Sequence, residues 1–363
     1  MLPLIILASA FLTNADAKEK SLREIYSQPP ESWPAPHIDP SVHFLEIAPL
    51  PAPIETNPNL SKLGASLFFD PRLSKSRQIS CASCHDPELA WADGRSLPAG
   101  NHRKILKRNT PSILNAVRQP HFFWDGRSTS LENLVESVVQ NQDEMHGDFQ
   151  EICPQIQSLP QYQNLFSKAF GDTSVTTQGI TSAIAEFIRS IQSKGQSRFD
   201  QFISGKHEIL SDQEILGLHL FRTKASCVNC HHGPFFTDHK FHDLGLSYFG
   251  RDLEDLGRYQ ITRNPADSGA FKTPSLRNIT RTAPYMHVGL FHLRGVLNLY
   301  NAGMPNIKTP PGKENHPLLP KKSPLLKPLR LSEQEIHAIE AFLKTLEEPP
   351  QRIPKQPFPP IQD

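Results

Sequence analysis

The sequence predicts a mainly α-helical protein of two domains joined by long, proline-rich loops. Three observations carry that prediction. A five-residue motif occurs twice, as Cys81-Ala-Ser-Cys84-His85 and as Cys227-Val-Asn-Cys230-His231. Apolar residues recur mostly at helical spacing, and few runs alternate as a half-buried strand would. Proline supplies 34 of the 363 residues, nearly twice the usual share of about 5%. That length has room for two domains of ordinary size, each with its own core.

The repeated motif has a chemical reading. Two thiols three positions apart can add to the two vinyl groups of a haem, and the histidine that follows then meets one face of the iron. Short Cys pairs also serve zinc sites and redox dithiols. A zinc ribbon, however, wants roughly 15–20 residues between its pairs, and these pairs lie far apart. Four of the five cysteines belong to the motifs. The fifth, Cys153, reads as a small buried hydrophobe. Two covalent haem c groups are therefore expected, on Cys81, Cys84 and His85 and on Cys227, Cys230 and His231. A porphyrin supplies apolar filling of its own, which suits a chain so rich in loops.

Charge is balanced, with 38 basic and 37 acidic residues, and gives no footprint for nucleic acid. Residues 2–12 are apolar and Ala15-Asp16-Ala17 offers a small-x-small cleavage site, so residues 1–17 read as an export signal. No Lys or Arg precedes the apolar run, which is too short to span a bilayer, and no later stretch is apolar enough to do so. Haem attachment to such motifs takes place outside the bacterial cytoplasm. The expected location is periplasmic.

Taken in order, residues 18–58 are polar, studded with Pro29, Pro30, Pro34 and Pro36, and expected to wrap the surface. A short helix runs from Leu60 through Leu63, Leu67 and Phe68 to a stop at Asp70-Pro71. Another follows from Leu131 through Leu134, Val135 and Val138, with Glu132 in its first turn. Such a carboxylate is stabilised near a helix N-terminus. Ile180, Ile184, Phe187, Ile188 and Ile191 form one stripe of a helix over 178–193. The polar stretch 195–210 reads as the domain junction. Ser211-Asp-Gln-Glu214 and Ser332-Glu-Gln-Glu335 are capping boxes that open two further helices. Helix, motif, long loop and closing helix make a cytochrome c-like layout, so two such domains facing each other are expected. Their bounds are 18–205 with the first haem and 206–350 with the second, and a proline-rich tail covers 351–363.

The stretches Leu67-Phe-Phe-Asp-Pro-Arg-Leu-Ser74 and Ser80-Cys-Ala-Ser-Cys-His-Asp-Pro87 resemble the bacterial di-haem cytochrome c peroxidases and their MauG relatives. So do Asp93-Gly-Arg95, Arg108-Asn-Thr-Pro-Ser112 and Phe123-Trp-Asp-Gly-Arg127, followed by Lys272-Thr-Pro-Ser-Leu-Arg-Asn278 and Thr282-Ala-Pro-Tyr-Met-His287. The resemblance covers roughly residues 58–348. It implies that His85 and His231 are the proximal ligands and that hydrogen peroxide reacts at the first haem. Glu132 matches the distal-pocket acid there, and moving a proton between peroxide oxygens is work for such a carboxylate. His102 falls near a mobile-loop histidine that can occupy the sixth position of that iron; it also reads as a plain exposed loop residue. Phe122 stands where the family often has a distal glutamine.

For the second iron, the peroxidases place a methionine in the helix after the Pro-Tyr-x-His motif, and MauG relatives place a tyrosine. Tyr300 holds that position here, although the segment leading to it is one residue short. Met304 is the rival ligand, and Gly303 with Pro305 suggests that the helix has already ended. A thioether favours ferrous iron, whereas an anionic phenolate should favour ferric and higher states. Tyr300 thus leans towards a MauG-like enzyme. The resemblance further implies a calcium ion held by the Asn109 side chain and the carbonyls of Thr282 and Pro284, all oxygen donors. Trp124 and Trp91 are candidates for an electron relay and, equally, for core packing. Expected partners are a small electron-transfer protein (a cytochrome c or cupredoxin) or a protein substrate oxidised at Trp or Tyr. A plain di-haem electron carrier is the alternative from another class.

Overall fold

The computed structural model describes residues 20–306 and 309–353. The expected export signal at 1–17 and most of the expected tail lie outside the described residues. In chain order the helices are α1 (Leu22–Tyr26), α2 (Pro58–Phe68), α3 (Leu131–Gln140), α4 (Phe149–Gln157), α5 (Pro160–Phe170), α6 (Thr177–Ser190) and α7 (Arg198–Ile203). After them come α8 (Asp212–Arg222), α9 (Tyr259–Thr262), α10 (Leu293–Asn301) and α11 (Glu333–Lys344). Strands β1 (Phe241–Asp243) and β2 (Ala270–Lys272) pair antiparallel, with Phe241 opposite Lys272. The protein is mainly helical, as expected.

Local chemistry sets the helix starts. Ser130 caps α3 by accepting from the Asn133 amide. The capping boxes read from sequence close at both Ser211/Glu214 and Ser332/Glu335. Helix α6 buries Ile180, Ile184, Phe187 and Ile188, and Ile191 follows at its C-cap.

The two halves repeat one packing device that sequence reading did not see. Helix α2 crosses α6 at Gly64, where an added Cβ would lie 1.8 Å from the Ala183 carbonyl oxygen. Helix α8 crosses α11 at Gly217, where it would lie 2.0 Å from the Ala338 oxygen. Four residues after each of those alanines a phenylalanine, Phe187 or Phe342, lies against the same glycine. In each half the first helix of the pair precedes the Cys-x-x-Cys-His motif. That is the cytochrome c-like arrangement, built twice. An alanine normally stabilises a helix over glycine by about 1 kcal/mol. At Gly217 the sign should reverse, because the atom met is backbone and overpacking costs about 1–3 kcal/mol. Gly217→Ala is expected to lower the unfolding midpoint of the haem-loaded protein; a raised midpoint would contradict this packing.

The apolar cores cut the chain differently from the expected bounds. One core gathers Leu63 to Ile191. The other joins Tyr26, Trp33 and Ile47 to Phe199, Phe202, α8 and α11. The N-terminal arm therefore packs on the second half instead of belonging wholly to the first, and its Tyr26 and Trp33 are buried anchors within a polar stretch. The junction read at 195–210 holds α7, whose Phe199 and Phe202 are fully buried. Isolated aromatics have no periodicity, so no pattern marked them as core.

Candidate functional site

Each motif folds as a tight turn. The His85 amide donates to the Cys81 carbonyl at 3.0 Å, and the His231 amide to that of Cys227 at 2.9 Å. The ring Nδ1 of His85 lies 3.0 Å from the Trp91 carbonyl oxygen, and that of His231 lies 3.0 Å from the Phe236 oxygen. A left-handed residue makes each contact, with φ 65 at Trp91 and φ 53 at Phe236. Such a bond fixes Nδ1 as the donor, orients the ring and leaves Nε2 as the lone-pair nitrogen for a metal. Burial lowers the pKa of both histidines and so favours the neutral form that ligation needs. Burial also pushes the thiols of Cys81 and Cys227 up to about 12 and that of Cys84 up to about 11. All five cysteines are free.

A mainly apolar cavity of about 240 Å³ opens beside the second motif. Cys227, Cys230, His231 and Tyr300 all line it. Burial first, and then the nearby Cys230 and Cys227, hold the Tyr300 hydroxyl well above the ordinary tyrosine pKa. Met304 is buried with φ 61 beyond the end of α10, and it is absent from the cavity lining. Asn109, Thr282 and Pro284 line the same cavity. The Asn109 Nδ2 donates to the Arg95 and Ser96 carbonyl oxygens at 2.8 and 3.2 Å. Trp124 lines the cavity too, with its indole N–H donating to the Asn109 carbonyl at 2.8 Å.

Around the first motif, Cys84 feels Asp93, Glu144 and Arg95. Glu144 went unremarked in the sequence; burial raises its pKa to about 6, against the pull of Arg127. Glu132 stands in the first turn of α3 as expected and pairs with Arg189 of α6 at 2.5 Å. His102 is exposed in a short turn with φ 51. Phe122 is buried in the first core. Trp91 is also core, edge-on to Phe68 and Phe187, with its indole N–H buried and unpartnered.

Charged side chains tie the halves together. Arg108 grips Asp255 through two nitrogens at 2.7 and 2.8 Å and reaches Asp125 at 2.5 Å. Among the described residues one cluster of metal-ligating side chains occurs, Cys230 with Asp238 and His242. It draws a single thiol from a single motif, so the two motifs do not combine into a zinc site.

A duplicated helix pair, two thiol pairs and two histidines fixed by the same hydrogen bond fit two haem groups in cytochrome c-like domains. A family model described as di-haem cytochrome c peroxidase matches residues 58–208. The methylamine utilization protein MauG of Methylorubrum extorquens is 36% identical over 95% of this chain and 91% of its own. The cytochrome c551 peroxidase of Nitrosomonas europaea is 36% identical over 67% of this chain and 72% of its own. Among solved structures, a MauG-like protein associated with microbial copper homeostasis superposes with a TM-score of 0.73 at 30% identity, covering 84% of this chain and 94% of its own. This chain belongs to the di-haem cytochrome c peroxidase family. It is a haem-dependent oxidoreductase.

Proposed function

We propose that the protein is a periplasmic oxidoreductase with two covalently attached haems, reacting with hydrogen peroxide at the first and exchanging electrons with a protein partner through the second. Bound haem supplies an iron that cleaves the peroxide bond and holds the oxidising equivalents left over. His85 and His231 hold the two groups from their fixed Nε2 atoms, and the four motif thiols anchor them. Glu132, kept in place by Arg189, takes a proton from one peroxide oxygen and delivers it to the other. Asn109, Thr282 and Pro284 hold a calcium ion between the halves.

The observation that carries the reading is the position of Tyr300 in the cavity of the second motif, with Met304 outside its lining. A phenolate there favours oxidised iron, which suits a site that shares oxidising equivalents more than one that stores an electron. This supports MauG-like oxidation of Trp or Tyr in a partner protein over peroxide reduction fed by a cytochrome c or cupredoxin.

The test is the spectrum of the purified ferric protein, whose intact mass is expected to show two haem additions. A high-spin component that reacts with peroxide without prior reduction is the expected result. Two low-spin haems inert to peroxide would leave a plain electron carrier. Exhaustive chelation should change the spin state of the first haem and lower the rate; no change in either removes the calcium site.

A further inference from the structure

The chain carries a net charge of only +1, yet residues 309–330 hold Lys313, Lys321, Lys322, Lys327 and Arg330 against a single acid, Glu314. Two of these cations have structural work. Lys322 donates to the Gly303 and Met304 carbonyls at 2.9 and 3.2 Å, and Lys313 lies 5.5 Å from the Phe249 ring centre. Lys321, Lys327 and Arg330 are exposed. Asp39, the acid paired with Lys327, is 4.0 Å away.

The inner side of the same segment belongs to the second site. Ser323, Leu325, Leu326, Lys327 and Leu329 line the cavity that holds Tyr300. The segment is pinned where that matters. Asn301, next to Tyr300, accepts from the Leu329 amide through its carbonyl, and its side chain both donates to the Leu331 oxygen and accepts from the Leu331 amide. The Ser323 amide donates to the Asp243 carbonyl at 2.9 Å. Six prolines between 310 and 328 stiffen it further, so little conformational entropy remains to be lost on binding.

One layer of residues therefore has a basic outer face and an inner face on the second site. Electron transfer weakens steeply with distance, and this segment is part of the wall between that site and solvent. We infer that the outer face of residues 309–330 is the docking surface for the electron-exchange partner, and that this partner presents an acidic patch. The inference rests on the proposed exchange of electrons through the second haem. Opposite charges across such a contact steer encounter and make it sensitive to salt.

The test uses the haem-loaded full chain with two probes of opposite charge, reduced plastocyanin (acidic) and mitochondrial cytochrome c (basic). The variants are Lys321→Glu/Arg330→Glu and the milder Lys321→Gln/Arg330→Gln. Binding is read by NMR line broadening of the probe at low and high salt, independently of turnover. The wild type should bind plastocyanin in preference to cytochrome c, and salt should weaken it. Charge reversal should weaken plastocyanin binding about tenfold or more and strengthen cytochrome c binding, since rim charges act through steering. The Gln variant should fall between. Plastocyanin affinity that neither variant nor salt alters overturns the surface. So does salt-sensitive binding to anionic lipid vesicles without any plastocyanin binding. Peroxide-driven oxidation of hydroquinone, an uncharged donor, should be equal in wild type and variants. Its absence in the wild type overturns the peroxide-dependent reading while the binding result stands alone.

Discussion

Glu132→Gln is expected to leave peroxide binding intact and to slow its cleavage by about 10²–10⁴-fold, the usual worth of a positioned general acid–base. The substitution keeps size and hydrogen-bonding reach but removes the group that accepts and returns a proton. Fold is not at stake. The Glu132–Arg189 pair is about one-third exposed on both sides, and ion pairs in such settings contribute about 0–1 kcal/mol. Arg189 also keeps Glu186 at 3.3 Å. Stopped-flow mixing of the ferric variant with peroxide is the measurement. A spectral change at the wild-type rate would remove Glu132 from the chemistry. Glu144, a half-buried carboxyl acting on Cys84, would then be the next residue to replace.

Tyr300→Phe should convert the second haem from six-coordinate to an open or differently ligated state, seen as a new spin state in the ferric spectrum. The surroundings of the hydroxyl disfavour the phenolate, desolvation first and then the nearby Cys230 and Cys227. The anion therefore forms where a cation replaces the proton, and ligation should release a proton on assembly. Tyr300→Met should raise the potential of that haem, because a thioether favours the ferrous state. It should also move the enzyme towards needing prior reduction before it meets peroxide. If Tyr300→Phe leaves the low-spin spectrum untouched, Tyr300 is packing. Met304→Leu, made alongside, would then show whether Met304 reaches the iron from beyond the end of α10.

Sequence alone determined whatever resides in contiguous residues. The Cys-x-x-Cys-His turns, the two capping boxes and the stripe of α6 are local, because a motif or a helix face is set by neighbours within a few positions. The break after α10 was legible for the same reason, since Gly303 and Pro305 end a helix by their own backbone preferences. Tertiary structure decided whatever depends on residues far apart in the chain. Nothing local tells Gly64 and Gly217 from ordinary helix-weakening glycines until Ala183 and Ala338 press against them. The carbonyls of Trp91 and Phe236 carry no side-chain signature, so their hold on His85 and His231 follows from left-handed turns seen only in the fold. Tyr26 and Trp33 are spaced like surface-loop residues, yet they fill the core of the other half of the chain. Packing between distant segments depends on shape and volume, and a linear pattern records neither.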